Sequence, residues 1–109
     1  MKAYVDTFNQ IEGFHRYPNP PYFCEYLGKR HRHMFVIRCK FSVDDLNREI
    51  EINQQQQIIE TRLKEKFGSP CEFEHMSCEM IADWLMKEFP SISQVQVLED
   101  GYGGSTLTR

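Results

Sequence analysis

"HRHMFVIRCKFSV", residues 31–43, decides the fold of this chain. It is dense in aromatic and β-branched side chains and carries no glycine or proline, which marks a β-strand. Alternation puts His31, His33, Phe35, Ile37, Cys39 and Phe41 on one face and Arg32, Met34, Val36, Arg38 and Lys40 on the other. The first face is apolar except at its start, where two imidazoles stand. Side chains two apart on a strand project together. His31 and His33 therefore point the same way, and Arg32 between them points to the opposite side.

Working outward, Val5 and Phe8 open an earlier strand that continues through Ile11, Phe14 and His15. "YPNPPYFCEYLGK", residues 17–29, holds three prolines and a glycine and reads as a loop between the two strands. After residue 43, "DDLN" at 44–47 is a turn and "REIEI" at 48–52 a short returning strand. Ile52, Ile59, Leu63 and Phe67 then share a helical stripe with Gln55 and Gln56, and Gly68-Ser69-Pro70 stops that helix. Ser77 is placed to cap a second helix, with Glu79 in its first turn and Ile81, Trp84, Leu85 and Phe89 on its buried stripe. Pro90 ends it. "SQVQVLE", residues 93–99, alternates as a strand, glycines 101, 103 and 104 turn the chain, and "STLTR" closes it as a final strand. The expectation is one α+β domain over residues 1–109, with an antiparallel four-stranded sheet, two helices on one face and the order β-β-α-α-β-β.

With 109 residues, a net charge of −3 and 40% hydrophobic residues, the chain is an ordinary small globular domain. The negative balance argues against nucleic acid as a partner. No apolar run reaches the length of a membrane span. The start "MKAYVDTFNQIEGF" lacks the apolar core of a signal peptide, so the expected location is the cytoplasm. The four cysteines, Cys24, Cys39, Cys71 and Cys78, are there expected as thiols, and no CxxC spacing marks a cysteine-rich zinc site.

The His31/His33 pair needs a third partner to form a catalytic-type zinc site of three protein ligands and an open position. His15, at the end of the strand expected to lie alongside, supplies it. The competing reading of Lys29, Arg30 and Arg32 is a basic patch that meets phosphates, and an isolated HxH is a weak motif.

Four features in order resemble the 6-pyruvoyl-tetrahydropterin synthase / 6-carboxytetrahydropterin synthase family, which has the tunnelling fold. They are "IEGFHRYP" with His15, "HRHMFVIR" with His31 and His33, "SCEMIADWL" with Glu79, and "VQVLEDG" with Glu99. The resemblance implies zinc held by His15, His31 and His33. It also implies Glu99 as the acceptor of a pterin ring's N–H groups, a task suited to a carboxylate's two oxygens, with Glu79 as a second candidate. A pterin synthase-like lyase acting on 7,8-dihydroneopterin triphosphate or a relative follows. So does a ring-shaped homo-oligomer with sites between subunits.

The chain also departs from that pattern. The synthases carry a cysteine about four residues before the HxH pair, where this chain has Leu27, and an Asp-His pair between the helices, where it has only Glu74-His75. Arg32 replaces the glycine between the metal histidines. The candidates for proton transfer are therefore Cys24, His75 and Cys78. Cys78 falls in the first turn of the second helix, a position that favours a thiolate, though buried cysteines more often act as small hydrophobes. Arg16, Lys29, Arg30 and Arg32 are candidates to meet a triphosphate. If these substitutions remove the synthase chemistry, the chain is a divergent tunnelling-fold zinc protein with another reaction or ligand binding alone.

Overall fold

The computed structural model describes residues 1–109. Strand β1 (Ala3–His15) runs into a loop with a 3₁₀ segment at Tyr22–Gly28, and β2 (His31–Val43) returns antiparallel to it. Helix α1 (Ile52–Phe67), strand β3 (Cys71–Glu74), helix α2 (Cys78–Glu88), and strands β4 (Ile92–Glu99) and β5 (Gly103–Thr108) follow. The sheet order is β3-β1-β2-β4-β5. No helix is long and apolar enough to cross a membrane.

The α+β class and the two long strands match the sequence reading. The sheet differs: it has five strands and is mixed, because β3 adds parallel to the end of β1 at Gly13, Phe14 and His15. β3 is only "CEFE", and so short a segment between Pro70 and the Ser77 cap reads as an interhelical linker. The returning strand expected at residues 48–52 does not form. Asp44 and Asp45 instead donate their N–H groups to the Glu49 carboxylate, each at 2.8 Å. Glu51 then caps α1 by accepting from the N–H groups of Asn53 at 2.6 Å and Gln54 at 3.3 Å. The carboxylates of Glu49 and Glu51 thus serve the turn before this segment and the helix start after it, an alternative to a strand ladder.

Helix α2 starts as expected, with Ser77 Oγ accepting from Met80 N–H at 3.2 Å. Gly68 ends α1 at φ 90°, ψ −179°, a conformation open essentially to glycine alone.

The face of β2 read from alternation is the core face. Phe35, Ile37 and Phe41 are almost completely buried there, with Val95 and Val97 of β4 beside them. Ile59 and Leu63 of α1 and Ile81 and Leu85 of α2 cover them. Burying each such side chain contributes about 1.5–3 kcal/mol. Only Ile59 and Leu63 are buried on α1; this anchoring, more than its glutamine-rich sequence, holds it on the sheet.

The candidate metal centre and its cavity

The β1–β2 register places His15 directly opposite His31, and Gly13 opposite His33. All three imidazoles therefore stand on the core-side face at one end of the sheet. Ring centroids are 4.7 Å apart for His15–His31, 5.2 Å for His15–His33 and 5.0 Å for His31–His33. One ring nitrogen from each lies within 4.8 Å of the others, close enough for the three to hold a metal ion.

Glycine at position 13 is required by space. A Cβ there would lie 2.7 Å from the Phe73 ring and 3.1 Å from that of Phe35. Phe35 in turn packs edge-on beneath His15 and His33, at 5.2 and 5.7 Å between centroids. The imidazoles thus rest on a close-packed apolar floor.

Hydrogen bonds set which nitrogen faces inward. His15 Nδ1 donates to the Met76 carbonyl at 2.8 Å, and His31 Nδ1 to the Lys29 carbonyl at 2.8 Å. A carbonyl oxygen only accepts, so each Nδ1 carries a proton, and in the neutral ring Nε2 then keeps its lone pair. His33 Nδ1 lies 2.6 Å from Asp100 Oδ2. The Nε2 atoms of His15 and His33 are buried with no hydrogen-bond partner. Buried polar atoms are almost always paired, and two orphaned lone pairs in one place fit a bound cation. Burial pushes the His15 imidazole below its ordinary value. The Met76 bond and the Glu99 charge oppose this, while His31 and His33 add to it. Three imidazoles form a donor set suited to zinc and to several other transition metals.

Glu99, at the end of β4 opposite Phe35, extends its carboxylate to the same point. Its oxygens lie 3.6 Å from His15 Nε2 and 3.5 Å from His33 Nε2. It therefore stands against the histidines themselves.

A cavity of about 570 Å³ opens from His15 and His31, and its walls include Arg16, Leu27, His75, Cys78, Glu79, Glu99 and Ser105. The sequence candidates His75, Cys78, Glu79 and Glu99 thus converge on one space. Cys24 is buried in the 3₁₀ segment and is not among the lining residues, whereas Leu27 is. His75 is exposed. Ser105 Oγ donates to Glu79 Oε1 at 2.7 Å and, with the N–H of Glu79 itself, holds that carboxyl below its usual value; burial acts weakly the other way. The thiolate expected at Cys78 is not favoured. Burial first, then the charges of Glu99 and Glu79, push its thiol up to about 12.

The basic residues divide. Arg16 lines the cavity, and Lys29 is exposed outside its lining. Arg32 Nε donates to Glu12 at 2.5 Å on the opposite sheet face. Arg30 pairs with Glu72 and stacks 3.6 Å over the Phe14 ring. Arg30 and Arg32 are therefore committed elsewhere, and the expectation that they meet a triphosphate is not supported.

Sequence reasoning missed Asp100. It accepts from Met34 N–H through Oδ1 at 2.8 Å and faces His33 through Oδ2, and these two bonds, that of Met34 first, lower its carboxyl. The only signal was an Asp-Gly turn after Glu99, which marks a loop and not a partner. Comparison with protein-family models returns no match, and comparison with curated proteins returns none either.

Proposed function

We propose that this chain is a zinc-dependent, pterin synthase-like lyase of the tunnelling fold, acting on 7,8-dihydroneopterin triphosphate or a related pterin- or purine-like compound. The observation that carries the reading is the convergence of His15, His31 and His33 on one point, with His15 and His31 in the wall of a cavity that two carboxylates also line. His15, His31 and His33 would hold the ion through Nε2. Zinc when bound polarises oxygen groups of a ligand and makes neighbouring protons more acidic.

The chain's own residues supply the rest. Glu79 and Glu99 offer acceptor oxygens to the donor edge of a ring. Glu99, beside the imidazoles, and His75, exposed on the cavity wall, are the groups placed to carry a proton. Arg16 remains to meet an anionic substituent. Supplying the zinc-loaded protein with 7,8-dihydroneopterin triphosphate and following loss of the triphosphate tests this; a His31→Ala protein with full activity would sink it.

Two observations favour a second reading, a divergent zinc protein with another reaction or ligand binding alone. Leu27 lines the cavity where the synthases carry their cysteine, and Cys78 holds its proton. Pterin binding without turnover would select it.

We also infer a homo-oligomer. β5 is one sheet edge, and β3 covers β1 only at Gly13–His15, which leaves most of β1 without a neighbouring strand on that side. Such edges invite pairing with another copy. Light scattering at micromolar concentration should give a multiple of 13.0 kDa, and a monomer would contradict it.

A further inference from the structure

We propose that Asp100 is a positioning residue of the metal centre: it locks His33 in the orientation and tautomer that aim Nε2 at the ion, and so sets metal affinity. The inference rests on the three-histidine reading and extends it to a residue outside the ligand set.

The three histidines are not held alike. His15 and His31 are oriented by the main-chain carbonyls of Met76 and Lys29, acceptors that no side-chain substitution removes. His33 alone depends on a side chain, the carboxylate of Asp100 at 2.6 Å. Asp100 is itself held by two bonds to Met34, one through its side chain and one through its backbone. Oδ1 accepts from Met34 N–H at 2.8 Å, and the Asp100 N–H donates to the Met34 carbonyl at 2.9 Å. The residue sits at φ 54°, the left-handed conformation that Asp, Asn and Gly tolerate best. Two acceptor oxygens thus meet two donors, Met34 N–H and His33 Nδ1–H, and only an acceptor-only group satisfies both.

An amide cannot. With Asn at this position and its oxygen on Met34 N–H, the NH₂ faces His33 Nδ1. Nδ1 must then accept, and the imidazole proton resides on Nε2, where it occupies the lone pair needed for the metal. With the amide flipped, NH₂ opposes the Met34 N–H. Carboxylate partners of metal-bound histidines fix the tautomer and raise ligand basicity, and losing one typically weakens metal binding about 10–100-fold.

The test uses the full chain freed of metal by chelation, as wild type, Asp100→Asn and Asp100→Gly. Zinc affinity is measured by competition with a chromophoric chelator, and the His33 tautomer by imidazole ¹⁵N shifts in the metal-free proteins. The expected result is zinc binding about 10–100-fold weaker in both variants, with the His33 proton on Nε2 in D100N and on Nδ1 in wild type. A merely structural role for Asp100 would not move the tautomer. Should D100N fail to fold, D100G, whose glycine suits the φ, carries the affinity test. Wild-type affinity in the folded variants, or Nδ1–H retained in D100N, overturns the inference while leaving the metal reading intact. A wild-type chain that takes up no zinc overturns the metal reading itself and this inference with it.

Discussion

His15 of β1 is the direct antiparallel partner of His31 of β2, and their rings stand 4.7 Å apart between centroids. One register thus brings together a histidine fifteen positions into the chain and a pair beyond a long proline-rich loop. Slipping it by one residue would turn His15 to the opposite sheet face. The centre is therefore a consequence of strand pairing, and its integrity depends on the residues that fix that pairing.

Gly13 is the first of these. Gly13→Ala drives a methyl against the Phe73 and Phe35 rings, which are buried and closely packed. The expected loss of stability is about 1–3 kcal/mol, read as a lower urea midpoint. An unchanged midpoint would show that the floor yields freely.

Phe35 is the second. It is fully buried and supports His15, His33 and Phe73 by edge contacts. Phe35→Ala should cost about 3–5 kcal/mol and weaken metal uptake as well, because the imidazoles lose their floor. Chemical denaturation paired with zinc titration checks both effects.

At the other edge, Gly104 allows β5 to approach β4. A Cβ there would lie 1.8 Å from the Val97 carbonyl oxygen, a backbone atom that cannot step aside. Gly104→Ala should break the local β4–β5 ladder, and amide exchange at residues 103–106 should accelerate. Wild-type protection would contradict the close approach.

The cysteines give a test of reactivity. Burial first pushes Cys78 and Cys39 up to about 12 and Cys71 to about 11. The thiolate is the nucleophile, so none of the three should react quickly with iodoacetamide at neutral pH in the folded protein. All should react after denaturation, as peptide mass spectrometry would show. Rapid labelling of Cys78 in the native state would restore it as a nucleophile.

The pH response of Glu79 has a definite sign. Its folded value is depressed, chiefly by the Ser105 hydroxyl. Its stabilising contribution is fully present above the unfolded value of about 4.3 and fades as pH falls through the lower folded value. Ser105→Ala should move the Glu79 carboxyl titration upward, followed by its side-chain ¹³C shift. No movement would mean that the hydroxyl bond is absent in solution.

Much of this was legible from residue order. The alternation in residues 31–43 named the core face correctly, and it set His31 and His33 together with Arg32 opposed. The caps at Gly68 and Ser77 marked helix ends because they act within a single turn. The edge strand β3 was not legible: four residues carry too little periodicity, and its partner, β1, lies far back in the chain. The same holds for Asp100, whose role exists only because β4 pairs with β2 and delivers the turn to His33. Charge alone misled at Arg30 and Arg32, since sequence shows a basic run but not the Glu72 and Glu12 that neutralise it.

The most direct test of the central claim is a zinc count on the purified chain after chelation and controlled reloading, in wild type and in a His15→Ala/His31→Ala/His33→Ala variant. The account predicts one tightly held ion per wild-type chain and none in the variant. A wild-type chain that retains no more zinc than the triple variant would contradict it.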